Sequence, residues 1–159
     1  MKPILFSDEM IRAILEGRKS QTRRPVKGLQ GYTHISVSQD SERSWKFISE
    51  DGSYANVDCP YGKIGGLLSV RGTTITLEIT NIRVERVQEI TEQDAKAEGC
   101  SNDTDWNWYP TYSDPDSGGN PTYRGDFMCT WDSIYEKKGI GWHVNPWAWV
   151  IEFKIAEKP

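Results

Sequence analysis

Thr73-Thr-Ile-Thr-Leu-Glu-Ile-Thr-Asn81-Ile-Arg-Val-Glu-Arg-Val87 is a long run dominated by β-branched side chains. Side chains alternate along an extended chain, so Ile75, Leu77 and Ile79 share one face. After Asn81 the apolar positions resume at Ile82 and Val84, and the phase has slipped by one residue. A slip within one strand pattern predicts a bulge or bend, the device by which a sheet curls toward a barrel. The C-terminal stretch repeats the alternation: Trp147, Trp149, Ile151, Phe153 and Ile155 interleave with Glu152 and Lys154. The turn Cys59-Pro-Tyr-Gly-Lys-Ile-Gly-Gly66 leads into one more strand, expected at Leu67 to Arg71. Strands outnumber helices and do not alternate regularly with them. The fold class is therefore α+β, a small, mostly antiparallel β-barrel with short helices on its outside. At 159 residues, without repeats or a linker, residues 1–159 are expected to form a single domain.

Three short helices fit around these strands. Ser7 caps a first one, with Asp8 and Glu9 in its opening turn, Met10, Ile11, Ile14 and Leu15 on one face, and Gly17 as the stop. Thr91-x-x-Asp94 opens a second that Gly99 closes. Asp126 is expected to cap a third, whose stripe is Phe127, Trp131, Ile134 and Tyr135. Residues 32–57 read as a polar, peripheral hairpin about a type I′ turn at Asp51-Gly52. Residues 100–124 form a long polar segment that carries Trp106, Trp108, Tyr109, Tyr112 and Tyr123. That segment suggests either a lid or ligand loop or plain disorder.

Composition narrows the chemistry. No run of about 18 apolar residues exists to span a membrane, and the apolar part of the N-terminus is too short for a signal peptide. Three separated cysteines without a Cys-x-x-Cys pair indicate neither a disulfide framework nor zinc; reduced thiols in a cytoplasm are expected. With two histidines, and an Asp114-Pro-Asp116 segment lacking calcium-ligand spacing, no metal and no cofactor are implied. Seven tryptophans and seven tyrosines supply flat apolar faces, for a core or for stacking on bases.

The charge pattern is uneven. The chain has a formal net charge of −4, yet Arg18, Lys19, Arg23, Arg24 and Lys27 fall within ten residues free of acids. Such a cluster is either a solvated face or meets an anion: a phosphate, a nucleotide or a protein carboxylate. It also holds Ser20 and Thr22, and a hydroxyl attacks a carbonyl when a neighbouring neutral lysine takes its proton. Residues 19 and 22 point to opposite faces of a regular strand, so their cooperation requires a turn or bulge. Glu98 is the second anomaly. It falls at the C-terminal end of a short helix, where the dipole disfavours a negative charge unless solvent or a cation from elsewhere compensates.

Gly17-x-Lys19-x-x-Thr22-x-Arg24 resembles the Gly-x-Lys-x-x-Glu-x-Arg signature of ASCH domains, relatives of the RNA-associated PUA fold, with threonine in the glutamate position. The small bacterial ASCH enzymes that deacetylate N4-acetylcytidine share that threonine. The resemblance implies Thr22 as nucleophile, Lys19 as its base and Glu98, within Asp94-Ala-Lys-Ala-Glu98, as the orienting acid or base. Arg18, Ser20, Arg23 and Arg24 would then contact the substrate. The match also takes in Lys63-x-Gly65-x-x-Leu68-x-Val70, where the family's Gly-Asp has become Gly65-Gly66, and the last strand. It leaves out insertions at about 28–57 and 100–124. The arrangement looks like the longer ASCH proteins of phages and prophages. The implied partner is a modified nucleoside or RNA, with no membrane. The alternatives are a non-catalytic RNA- or nucleotide-binding module, a metal-dependent nuclease, and a phage accessory protein that binds a host protein.

Overall fold

The structure is a computed structural model that describes residues 1–29, 34–102 and 122–157. In chain order its elements are β1 (Lys2–Ile4), α1 (Asp8–Leu15), β2 (Gln21–Pro25), β3 (His34–Gln39), β4 (Ser44–Ser49), β5 (Tyr54–Asp58), β6 (Leu67–Val70), β7 (Thr76–Arg86), α2 (Glu92–Ala97), α3 (Tyr123–Tyr135) and β8 (Trp147–Glu157). They form an α+β fold with two sheets, one ordered β1-β6-β7-β8-β2 and the other β3-β4-β5. All pairings are antiparallel except β1 with β6. The expected closed barrel is therefore corrected to two mostly antiparallel sheets. Pro25 ends β2 and brings no N–H donor to a further partner, and the three-residue β1 pairs only with β6. Even so, the two edges draw together at one end, where Arg24 on β2 donates from Nη2 to Leu5 O, 2.7 Å away just beyond β1.

β7 and β8 are the backbone of the larger sheet. Their register slips between Ile79 and Asn81, at the phase change in the sequence, and once more between Thr76 and Leu77. On the inner face Leu77, Ile79, Ile82, Trp149, Ile151 and Phe153 join one apolar core. Trp45 and Phe47 of β4 join it as well, with edge-on contacts to Trp149 at centroid distances of 5.1 and 6.4 Å. The segment read as peripheral thus covers the core. Its overall polarity conceals one alternating face made of two large aromatics. The turn between β4 and β5 is not type I′, because Gly52 alone has positive φ there (+85°) while Asp51 caps Ser53 N at 2.9 Å.

The opposite face of β8 carries the helical layer. Ala148 packs with Val87, Ile90, Ala95, Phe127, Trp131 and Trp142 in a second apolar cluster. α3 starts earlier than Asp126, since Thr122 caps it by accepting from Gly125 N at 2.8 Å. Asp126 instead accepts from Ser101 N at 2.8 Å. The aromatic segment from 103 to 121, including Trp106, Trp108, Tyr109 and Tyr112, lies outside the described residues. No helix among the described residues is long and apolar enough to cross a membrane.

Candidate active site

α1 behaves as its sequence demands. Ser7 Oγ accepts from Met10 N at 3.3 Å, and Gly17 takes φ +78° at the exit. The chain then folds back, with Arg18 N and Lys19 N both donating to Ala13 O at 2.8 and 3.1 Å. Lys19 forms an isolated antiparallel bridge with Glu98. Ser20 N donates to Ala97 O and Ser20 O accepts from Phe153 N, each at 2.9 Å. Two residues thereby stitch the end of α2 to β8 before β2 begins at Gln21. Lys19 lies ahead of the strand, which removes the alternation constraint separating it from Thr22.

The other partner arrives on α2. Thr91 Oγ1 accepts from Asp94 N at 3.1 Å and starts the helix. Gly99, at φ +94°, ends it. A Cβ on Gly99 would stand 3.3 Å from Lys19 Cβ and 3.4 Å from Ala13 Cβ, so glycine allows both the turn and the close approach. Lys19 Nζ donates to Gln21 O and Glu98 O, both at 2.8 Å, and to Glu98 Oε2 at 3.2 Å. Three acceptors match the three protons of an ammonium. One of them is a carbonyl at a helix C-terminus, where a cation is favoured.

Lys19 and Glu98 are both 5% exposed. Burial raises the Glu98 carboxyl above its ordinary range, and Lys19, then Arg23, then Arg24 pull in the opposite direction. This answers the anomaly at the helix end: the compensating cation is Lys19, 79 positions away in sequence. The alternative of a solvated Glu98 does not hold.

β2 splits the remaining residues by face. Thr22 and Arg24 pair with Ile151 and Trp149, whereas Gln21 and Arg23 pair with Glu152 and Val150. Thr22 is 4% exposed, and its Oγ1 accepts from Arg24 Nε at 3.3 Å rather than from Lys19. Arg24 also lies over the Phe6 ring, 5.1 Å from its centroid, and Lys19 Nζ is 5.7 Å from the same centroid. Phe6 therefore serves both cations, a role with no sequence signal because β1 and its exit reach β2 only through the folded sheet. Beside Arg24, Pro25 and Trp149 line a cleft of about 450 Å3 together with Lys27, Val57 and Tyr61.

On the far side of the strand the basic cluster meets protein carboxylates. Arg23 Nη2 pairs with Glu85 Oε1 at 2.5 Å and Asp94 Oδ2 at 3.1 Å. Arg83 pairs with the same two acids, through Nε to Glu85 Oε2 at 3.3 Å and Nη2 to Asp94 Oδ2 at 2.9 Å. Burial opposes the Arg83 charge, but Glu85 and Asp94 outweigh it and raise that guanidinium above its usual range. Asp94, expected only as a capping residue, is thus the hub that fastens α2 to the sheet. Arg18 and Ser20 are exposed, and Arg18 pairs with Glu16 at 2.7 Å.

Lys19 and Glu98 are in direct contact, Arg24 shares the Phe6 ring with Lys19 and bonds Thr22, Arg23 approaches Glu98 to 3.7 Å, and Arg18 and Ser20 are exposed. A Cβ on Gly66 would stand 2.9 Å from Lys63 O, so a side chain there requires a local backbone shift. Among the described residues no three His, Cys, Asp or Glu side chains are placed to hold a metal ion.

No family model matches the chain, and no curated protein matches it. Solved structures do. Protein EF3133 from Enterococcus faecalis V583, of the family DUF984, aligns over 98% of this chain and 76% of its own at 10% identity and a TM-score of 0.52. That likeness shows a shared fold. An ASCH domain from Lactobacillus crispatus JV V101 aligns over 97% and 78% at 15% identity with a TM-score of 0.49. The hypothetical protein PH0355 aligns over 98% and 99% at 13% identity with a TM-score of 0.48.

Proposed function

We propose that this chain is a cytoplasmic ASCH-type domain of PUA-like fold that removes the acyl group from an N4-acylated cytidine or a related modified nucleoside. The observation that carries the reading is the buried Lys19–Glu98 pair, which the fold-back ahead of β2 and the end of α2 bring together. A cation and a carboxylate withdrawn from water, and joined by backbone as well as side-chain bonds, suit proton transfer better than they suit stability.

The chemistry balances as an amide hydrolysis. Thr22 Oγ attacks the acyl carbon, and its proton passes to Lys19 once that amine has shared its own proton with Glu98, whose affinity for a proton burial raises. The C–N bond breaks, and the cytosine amine leaves with the proton returned by the pair. Water then cleaves the threonine ester by the same route and releases the carboxylic acid. Arg24, which holds the Thr22 hydroxyl at rest, must let go for attack and is placed to meet the oxyanion. The cleft at Pro25 and Trp149 supplies an apolar neighbour for a base.

Pure protein incubated with N4-acetylcytidine is expected to release cytidine, followed by chromatography. Lys19→Ala and Thr22→Ala are each expected to reduce the rate by 10²-fold or more, on the order of lost acid–base or nucleophilic catalysis. No release, or release that survives Lys19→Ala, overturns the proposal. Salt-dependent binding of single-stranded RNA without any release would replace it with a non-catalytic binding module.

A further inference from the structure

Arg23, expected as a substrate contact, is withdrawn from solvent: its side chain is 0% exposed. Its guanidinium nevertheless points along the strand toward the candidate site. Nη2 is held by Glu85 and Asp94, while Nε stands 3.7 Å from Glu98 Oε1. Arg23 Nε, Arg23 Nη1 and Glu98 Oε1 are all buried and have no hydrogen-bond partner. Buried polar atoms in a native fold are seldom left so. Here Arg23 Nε and Glu98 Oε1 stand 3.7 Å apart, a gap slightly too long for a bond. Glu98 therefore sits between two cations. Oε2 is bonded to Lys19 at 3.2 Å, and Oε1 is within a small displacement of Arg23.

We propose that Arg23 is a positioning residue. Anchored by Asp94 and Glu85, it holds the Glu98 carboxyl group aimed at Lys19 from the face of β2 opposite Thr22. Its catalytic consequence rests on the proposed amide hydrolysis; its effect on Glu98 does not. The other groups around Glu98 are Lys19 ahead of β2, Arg24 on β2, Asp94 on α2, Cys100 beyond Gly99, and Tyr135 on α3. Lys19 and Arg24 act in the same sense as Arg23. Asp94 acts in the opposite sense as a negative charge, yet it also fixes the guanidinium in place.

The test is an NMR titration of the 13C-labelled Glu98 carboxyl in the whole chain, which needs no substrate. Arg23→Gln is expected to move the Glu98 midpoint upward, because burial is then less opposed. Arg23→Lys, which keeps the charge, is expected to restore most of the wild-type value. In turnover, Arg23→Gln is expected to lower kcat about tenfold or more with KM changed less than about twofold, because the partner of Lys19 is then misplaced while the substrate contacts remain. The acid limb of the rate profile should shift upward with the midpoint. If Arg23→Gln does not fold, Arg23→Met decides, since an unbranched apolar side chain adapts to a buried site, and it too is expected to move the midpoint upward. An unchanged or lowered midpoint in Arg23→Gln or Arg23→Met, or no recovery in Arg23→Lys, overturns the proposal. Absence of turnover with the expected titration shifts would instead remove the hydrolase reading and leave the role of Arg23 in place.

Discussion

The two faces of β2 and β8 solve the same problem by opposite means. On the inner face Thr22 and Arg24 lie over a continuous apolar core of Trp149, Ile151, Phe6 and Phe153. On the outer face Gln21 and Arg23 lie within a lattice of Arg83, Glu85, Asp94 and Glu152 beneath α2. Apolar packing is non-directional and tolerates small displacements. An ion-pair lattice is directional and fixes one register of a helix on a sheet. The helix so fixed is the one that carries Glu98 to Lys19. The difference teaches that the outer face is the positioning device and the inner face the source of stability.

The contrast can be broken from either side. Trp149 is 1% exposed at the centre of the inner face, with Trp45 and Phe47 against it. Trp149→Ala should cost about 3–5 kcal/mol of stability by urea denaturation, the range for a large aromatic removed from a core. Asp94→Asn keeps the backbone cap but weakens two charged hydrogen bonds to Arg23 and Arg83. It should cost less, about 1.5–3 kcal/mol, while reducing activity out of proportion to that loss. Equal losses of stability and activity in the two variants would erase the distinction between the faces.

A pH series sharpens the same point. Because burial raises Glu98, the folded chain holds that proton more tightly than the unfolded chain does. The sign follows: its contribution is fully present below the ordinary value of 4.5 and declines as pH rises through the folded midpoint. Glu98→Gln should remove this decline, so the stability difference between wild type and variant should fall as pH rises above that value. The smallest effect belongs to the rim. Lys63 and Glu42, 3.0 Å apart with side chains 55% and 79% exposed, should lose no more than about 1 kcal/mol in Lys63→Ala.

What the sequence discloses follows the same division. Alternation in β7 and β8, the slip at Asn81, the Ser7 and Thr91 caps and the glycine exits at 17 and 99 are local signals, and each is present in the fold. The parallel edge strand Lys2–Ile4 has three residues and a partner more than sixty positions away, so no local pattern announces it. Trp45 and Phe47 sit in a segment whose mean polarity hides their shared face. The site divides likewise. A family motif pointed to Lys19, Thr22 and Glu98, and helix-dipole reasoning marked Glu98 as needing a distant cation. Neither could reveal that Arg23 turns inward to Glu85 and Asp94, because that depends on which face of β2 α2 covers. One signal was available: an acid at position 94 beyond what a cap requires.

The pair that joins the two faces can be weighed by a double-mutant cycle on Lys19→Met and Glu98→Gln in urea denaturation. A directly bonded, buried pair should show a coupling energy of about 1.5 kcal/mol or more between the two substitutions. Effects that add to within about 0.5 kcal/mol would mean that Lys19 and Glu98 do not hold each other, and the site built on them would have no foundation.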